Sequence, residues 1–240
     1  MSKGEWVPQV KLAPEISALI AESDLEIVGR LVDASNATLL ARVSPEIQVI
    51  YKPIAGERPL WDFPEGSLAG REVAAYYLSD LGNFGLVPFT TLRDGPYGIG
   101  AVQIWIEVDE AIDVVEEAQQ ELSQLRSMAL FDAVVNNTDR KFGHILFVDK
   151  KQIYGVDHGV CFHEEDKLRT VLWQWSGEPL MPEEMAQLRE ILKKMDDRYL
   201  ETLISPGEVE ALRFRISRLI ENGLFPEPSS DWPAVPWPPY

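Results

Sequence analysis

Apolar and polar residues alternate with a period of two in several short stretches of the first 107 residues, and helical spacing prevails afterwards. Ala13–Glu22 reads as a short helix. Leu25–Val32 and Thr38–Val43 read as two strands around the turn-rich cluster Asp33-Ala34-Ser35-Asn36. Glu46–Ile54 is a third strand, because Ile47, Val49 and Tyr51 alternate with Gln48, Ile50 and Lys52. The stretch Ala55–Ser67 is rich in Gly and Pro and predicts a loop. Leu68–Leu81 places Val73, Ala74, Tyr77, Leu78 and Leu81 on one helical face, with Gly82 as its stop. Val87–Leu92 and Ala101–Glu107 complete the strands around an Asp94-Gly95 turn.

The pattern changes after Glu107. Seven acidic residues lie between Glu107 and Glu121, which predicts a solvated linker and helix face. A helix is expected from Glu116 to Val135, with Leu122, Leu125, Met128, Ala129 and Val135 inward. Ile145–Val148 and Gln152–Val156 suggest a hairpin, and Glu183–Met195 is amphipathic. Ser205-Pro206-Gly207-Glu208 has the spacing of a capping box with Pro at the first helical position, and the helix it opens should end near Gly223. The chain therefore reads as α+β. A β-rich part (1–107) with one main helix precedes a mainly helical part (108–225) and a Pro/Trp-rich tail (226–240).

Composition narrows the class. The 240 residues carry 39 Asp and Glu against 22 Lys and Arg, a net charge of −17, which argues against wrapping nucleic acid or lying on an anionic membrane. One cysteine excludes an internal disulfide and a Cys-rich zinc module. No apolar run approaches the length of a membrane span, and the first residues lack the apolar core of a signal peptide, so a cytoplasmic location is expected. The tail holds six of the 17 prolines, with Trp232 and Trp237. Those tryptophans are expected to dock on the protein's own surface, with a protein partner as the alternative.

The densest polar segment is Asn136-Asn137-Thr138-Asp139-Arg140-Lys141-Phe142-Gly143-His144, and Val156-Asp157-His158-Gly159 follows at the end of the next strand. All three histidines (144, 158, 163) and Cys161 fall in this stretch. Two loops at neighbouring strand ends would aim Asp139, His144 and Asp157 into one cleft. A carboxylate base with metal-binding groups beside it suits phosphoryl transfer, whose chemistry is mostly positioning and charge neutralisation. Arg140 and Lys141 would offset phosphate charge.

Asn-Thr-Asp-Arg, a ligand-type residue five after the Asp, a strand and then Val-Asp-His-Gly resemble the phosphatidylinositol 3- and 4-kinase family, most of all its type II 4-kinase branch. Val49-Ile50-Tyr51-Lys52-Pro53 resembles that branch's Phe-Lys-Pro strand, and Glu72 lies on the following helix. The similarity spans roughly residues 25–165. It implies the bilobal protein-kinase-like fold and an ATP-dependent kinase using Mg²⁺ or Mn²⁺. By the same resemblance Lys52 contacts ATP phosphates and Glu72 orients it. The turn with Ser35 covers the phosphates, and Gln103, Trp105 and Ile106 form the hinge against adenine. Asp139 accepts the acceptor's hydroxyl proton, Lys141 contacts phosphate, Asp157 holds the metal, and Asn137 braces the loop.

His144 departs from the family's usual Asn. Neutral imidazole binds metal but suits softer ions than Mg²⁺, so His144 is either a second ligand or the mark of an inactive site. His158 is expected to pack locally and Cys161 to be a buried inert thiol. Trp173 and Trp175 belong to the core or to an apolar wall for the acceptor. The acceptor is expected to be a protein or small hydroxylated molecule rather than a membrane lipid. Two other readings compete: a nucleotide-binding pseudokinase that regulates a partner, and a metal hydrolase built on His144, Asp157, His158 and His163.

Overall fold

The computed structural model describes residues 13–31 and 36–240. Five antiparallel strands form the first sheet: β1 (Glu26–Arg30), β2 (Leu39–Ser44), β3 (Ile47–Pro53), β4 (Thr90–Arg93) and β5 (Gly100–Ile104). Their order is β1-β2-β3-β5-β4, with Tyr51 opposite Val102 and Lys52 opposite Ala101. Period-two alternation buries Val49 and Tyr51 with Ala41 and Val102. Ile20 of helix α1 (Pro14–Glu22) closes the same small core. Lys52 therefore emerges on the opposite face of β3.

Helix α2 (Leu68–Leu81) has the expected bounds and buries ten of its residues. It packs between the sheet and the helical lobe, where Gly70 allows the approach: a Cβ there would lie 2.3 Å from Leu203 O. Its first N–H groups are not capped by Ser67. The Glu57 carboxylate accepts from Leu68 N (3.2 Å) and Ala69 N (2.9 Å) instead. At the other end Gly82 keeps a negative φ, and Asn83 takes the left-handed conformation at φ 53°.

One expected helix is two. Asp113 caps a single turn, α3 (Val114–Glu117), and α4 begins anew at Ser123 and runs to Val135. The Ala118 carbonyl takes the Gln174 side-chain amide (2.6 Å), and Leu122, the residue four positions on, has extended backbone. The ladder already changes at Gln119 and Gln120, whose N–H groups bond only three residues back, to Glu116 O and Glu117 O, although Glu, Ala and Gln favour its continuation. Eleven of the 13 residues of α4 are buried.

The hairpin β6 (Ile145–Phe147) and β7 (Ile153–Gly155) follows α4, then α5 (Pro182–Lys194), a short α6 (Asp197–Leu200) that the pattern did not reveal, and α7 (Pro206–Asn222). Both halves of the Ser205/Glu208 capping box form, and Gly223 ends α7 at φ 63°. The result is an α+β bilobal fold, β-rich first and mainly helical second. Among the described residues no helix is long and apolar enough to cross a membrane.

The tail docks on the helical lobe. Ala234 O accepts from Thr170 N (3.1 Å) and from Trp173 Nε1 (2.9 Å), and Pro239 O accepts from Phe142 N (2.9 Å). Trp232 and Trp61 each lie against the Lys167 ammonium, at 4.7 and 4.9 Å. The expectation that the tail's tryptophans dock therefore holds for Trp232, whereas Trp237 is 89% exposed. Trp175 is core, and Trp173 is partly exposed.

Candidate active site

Three separated segments converge on one ammonium group. Lys52 Nζ, at the end of β3, donates to Glu72 Oε1 of α2 and to Asp157 Oδ1 (2.8 Å) just after β7. The other Glu72 oxygen accepts from the backbone N–H of His158 (3.0 Å), so α2 is tied to the Asp157 loop directly. Asp157 has φ 60°, a left-handed conformation unusual for a residue with a side chain. Its carboxylate is half exposed, toward an open cleft that Thr38, Lys52, Glu57, Glu72 and Gly159 also line.

Electrostatics match this geometry. Burial works to lower the Lys52 pKa, but the carboxylates of Asp157 and Glu72 outweigh it and hold the ammonium charged well into alkaline pH. The Lys52 charge in turn pulls the Asp157 carboxyl well below the usual carboxylate range.

His144 closes the other side of Asp157. A single 3₁₀ turn (Phe142–His144) presents it, with Nε2 at 3.4 Å from Asp157 Oδ2. Burial, aided by the Arg140 charge and opposed by Asp157, lowers its pKa, so the ring is neutral at pH 7. Its Nδ1 is buried and has no hydrogen-bond partner. Asp157 Oδ2 and His144 Nε2 thus offer two donor atoms to a cation. Among the described residues no group of three or more His, Cys, Asp or Glu side chains is placed to hold a metal. A two-residue set fits an ion whose remaining positions are filled by phosphate oxygens and water, the usual habit of Mg²⁺.

Asp139 stands on the loop after α4. Its backbone N–H donates to Asn137 Oδ1 (3.0 Å), and its Oδ2 lies 3.1 Å from Lys141 Nζ. Asn137 braces the loop as expected, because its side-chain amide also reaches Asp132 Oδ1 (3.0 Å). Asn136 makes the turn into the loop at φ 53° and bonds the carbonyls of His163 and Glu165.

Several expectations are corrected here. Arg140 does not offset charge in the cleft. It is fully buried and paired with Asp132, and it donates to His144 O (3.1 Å) and Val156 O (3.0 Å). The three histidines do not form one metal site. His158 Nε2 faces Arg140 NH2 (2.7 Å), and both ring nitrogens of His163 are engaged, with Glu165 N and Lys167 Nζ. Burial first, then the Arg140 charge, depresses the His158 pKa strongly. That arrangement removes the hydrolase reading. Cys161 is buried, and burial raises its thiol pKa well above the ordinary value.

The expected hinge residues lie in β5 and just after it, on the strand that pairs with β3. Gln103 is buried in β5 with its amide on Thr90 Oγ1 (2.8 Å), and the Trp105 N–H is taken by Gln48 O (3.0 Å). Ile106 follows at the strand's end, half-buried. Ser35 lies outside the described residues.

Two contributors escaped the sequence reading. Asp132 sits on the inner stripe of α4 with Leu125, Met128, Ala129 and Val135, and a carboxylate at a core position of an apolar face was a signal that it has a buried partner. Glu57 had no such signal, since its role depends on where α2 begins.

A five-stranded sheet whose third strand presents a lysine to a helix-borne glutamate, above a helical lobe with two loops facing the cleft, is a protein-kinase-like fold. Solved structures share it. Golgi casein kinase with manganese and ADP bound superposes at a TM-score of 0.58 and 12% identity, over 87% of this chain and 74% of that one. A second structure of Golgi casein kinase gives 0.58 and 11%, over 90% and 76%. In sequence, Protein Rv2133c of Mycobacterium tuberculosis is 38% identical over 262 residues, covering 92% of this chain and 94% of the relative. The chain belongs to the family of that protein. No protein-family model matches it.

Proposed function

We propose that the chain is an ATP-dependent phosphotransferase. The observation that carries this reading is the convergence of Lys52, Glu72 and Asp157, 20 and 105 residues apart from Lys52 in sequence, on one cleft. Lys52 would bind the α/β-phosphates, held in place by Glu72. Asp139 would take the proton of the acceptor hydroxyl as its oxygen bonds to the γ-phosphorus and the bond from that phosphorus to the ADP oxygen breaks. Lys141 would balance charge on the transferred group. Asp157 and His144 would hold Mg²⁺ or Mn²⁺. Such an ion, when bound, neutralises phosphate charge and aligns it for in-line transfer. Gln103, Trp105 and Ile106 remain the proposed adenine edge, and Ser35 the proposed phosphate cover. Residues 1–107 would form the nucleotide-binding lobe and residues 108–225 the catalytic lobe.

Asn137-Thr138-Asp139-Arg140 and Val156-Asp157-His158-Gly159 support kinship with the phosphoinositide kinases, closest to the type II 4-kinases. The net charge of −17 favours a cytoplasmic protein or small-molecule acceptor over a bilayer.

The test is ADP release from ATP with Mn²⁺ or Mg²⁺ by the full chain and by Asp157→Asn. The variant should lose at least about 100-fold in turnover. Equal turnover would remove Asp157 from the mechanism. The His144 substitution favours one second reading, a nucleotide-binding regulator. Stabilisation of the wild type by ATP and metal without turnover would select it.

A further inference from the structure

Several cations near the cleft and the catalytic loop are paired with carboxylates. Lys52 is held by Glu72 and Asp157, Arg140 by Asp132, Lys141 by Asp139, Lys167 by Asp62 and Glu165, and Arg71 by Glu208. In a chain with 39 acids to 22 bases that is the expected outcome. Arg169 is the exception at the catalytic loop. Its Nε donates to Thr138 O at 2.7 Å. Among the described residues its two terminal nitrogens meet no carboxylate or other acceptor, and the side chain is partly exposed.

Thr138 O belongs to the peptide that leads into Asp139, so the guanidinium rests against the backbone of the proposed base. The backbone that carries it is held on both sides. Arg169 N donates to Asn137 O (2.9 Å), and Arg169 O accepts from Arg140 N (3.1 Å). The next residue is tied by its N–H to Ala234 O of the tail (3.1 Å) and by its hydroxyl to Asp132 Oδ2 (3.3 Å). A planar guanidinium with a satisfied Nε and two free nitrogens is a preorganised fork for a carboxylate or phosphate. Preorganisation spares the ordering cost that a free surface arginine would incur on binding.

We propose that Arg169 recognises an anionic group on the acceptor, a carboxylate or a phosphate, and so makes this a phosphotransferase for acidic hydroxyl compounds. The inference rests on the kinase reading for the hydroxyl but not for the anion.

The full chain, saturated with ADP and Mn²⁺, is titrated calorimetrically with O-phosphoserine, with glutarate and with uncharged serinamide. The wild type should bind the first, the second or both saturably and serinamide not at all. Which of the two binds tells a phosphate from a carboxylate. Arg169→Met should weaken that binding at least tenfold, and Arg169→Lys should fall between, because an ammonium keeps the charge without the fork. Melting temperatures check that both variants fold, and Arg169→Lys decides the matter should Arg169→Met not fold. Undiminished binding by a folded variant, or no anion binding by the wild type, overturns the proposal. Failure of the wild type to bind ADP with Mn²⁺ counts against the kinase reading alone, and the same titration of nucleotide-free protein then decides the role of Arg169.

Discussion

Arg140 and Asp132 form an ion pair, 2.9 Å long, in which neither side chain reaches solvent. The pair does more than balance charge. Asp132 fixes the guanidinium, and the guanidinium bonds the carbonyls of His144 and Val156, one at the end of each loop that faces the cleft. Burial disfavours the Arg140 charge, but Asp132 outweighs that and raises its pKa.

Arg140→Met should therefore destabilise the protein by about 3–5 kcal/mol, the cost of leaving a buried carboxylate unpaired. Asp132→Leu combined with Arg140→Met should recover only part of it, because the two carbonyls still lack a donor. Urea unfolding of the single and double variants measures both. Full recovery in the double variant would show that the carbonyl bonds add nothing.

The Lys52–Asp157 pair predicts a pH window in nucleotide-free, metal-free protein. Asp157 has a folded pKa below its ordinary 3.8, so its contribution is present above that value and lost as pH falls through the folded one. Lys52 has a folded pKa above its ordinary 10.5, so its contribution is present below that value and lost as pH rises through the folded one. Melting temperatures from pH 3 upward, approximately, should fall less steeply on the acid side for Asp157→Asn than for the wild type. Parallel acid limbs would mean that the pair adds no stability.

His144→Asn exchanges an imidazole for an amide oxygen beside Asp157. Hard oxygen donors suit Mg²⁺ better than nitrogen does. The ratio of Mn²⁺ to Mg²⁺ needed for half-maximal stabilisation by ATP should shift toward Mg²⁺ by about tenfold, read by thermal melting. An unchanged ratio would place His144 outside the metal's coordination.

Ser205 caps α7 through its hydroxyl, 3.2 Å from Glu208 N. Ser205→Ala should cost about 1 kcal/mol and lower the melting temperature by roughly 2–4 °C. Ser205 lies outside the proposed machinery, so ATP turnover per folded molecule should not change. A loss of turnover at equal folded fraction would argue against that placement.

Local rules made much of the fold legible. Alternation in β3 placed Val49 and Tyr51 inside and Lys52 on the other face, and helical spacing set the bounds of α2. The Ser205/Glu208 box and Gly223 marked both ends of α7, because caps satisfy backbone groups within a few residues. The two polar loops were visible because scarce residue types cluster there.

Tertiary contact decided the rest. Asp132 and Arg140 are ordinary charged residues in sequence, and only the packing of α4 under both loops makes them a buried brace. At the break before Ser123 the Ala118 carbonyl is taken by Gln174, 56 residues further on. His158 and His163 share the stretch that holds His144 and Asp157, yet their rings turn to Arg140 and Lys167. Sequence determined most of the elements, α6 and the division of α3 from α4 excepted, since periodicity and capping act over a few residues. The fold alone determined which charges meet, since a charge takes its partner from whatever segment packing brings within about 4 Å of it.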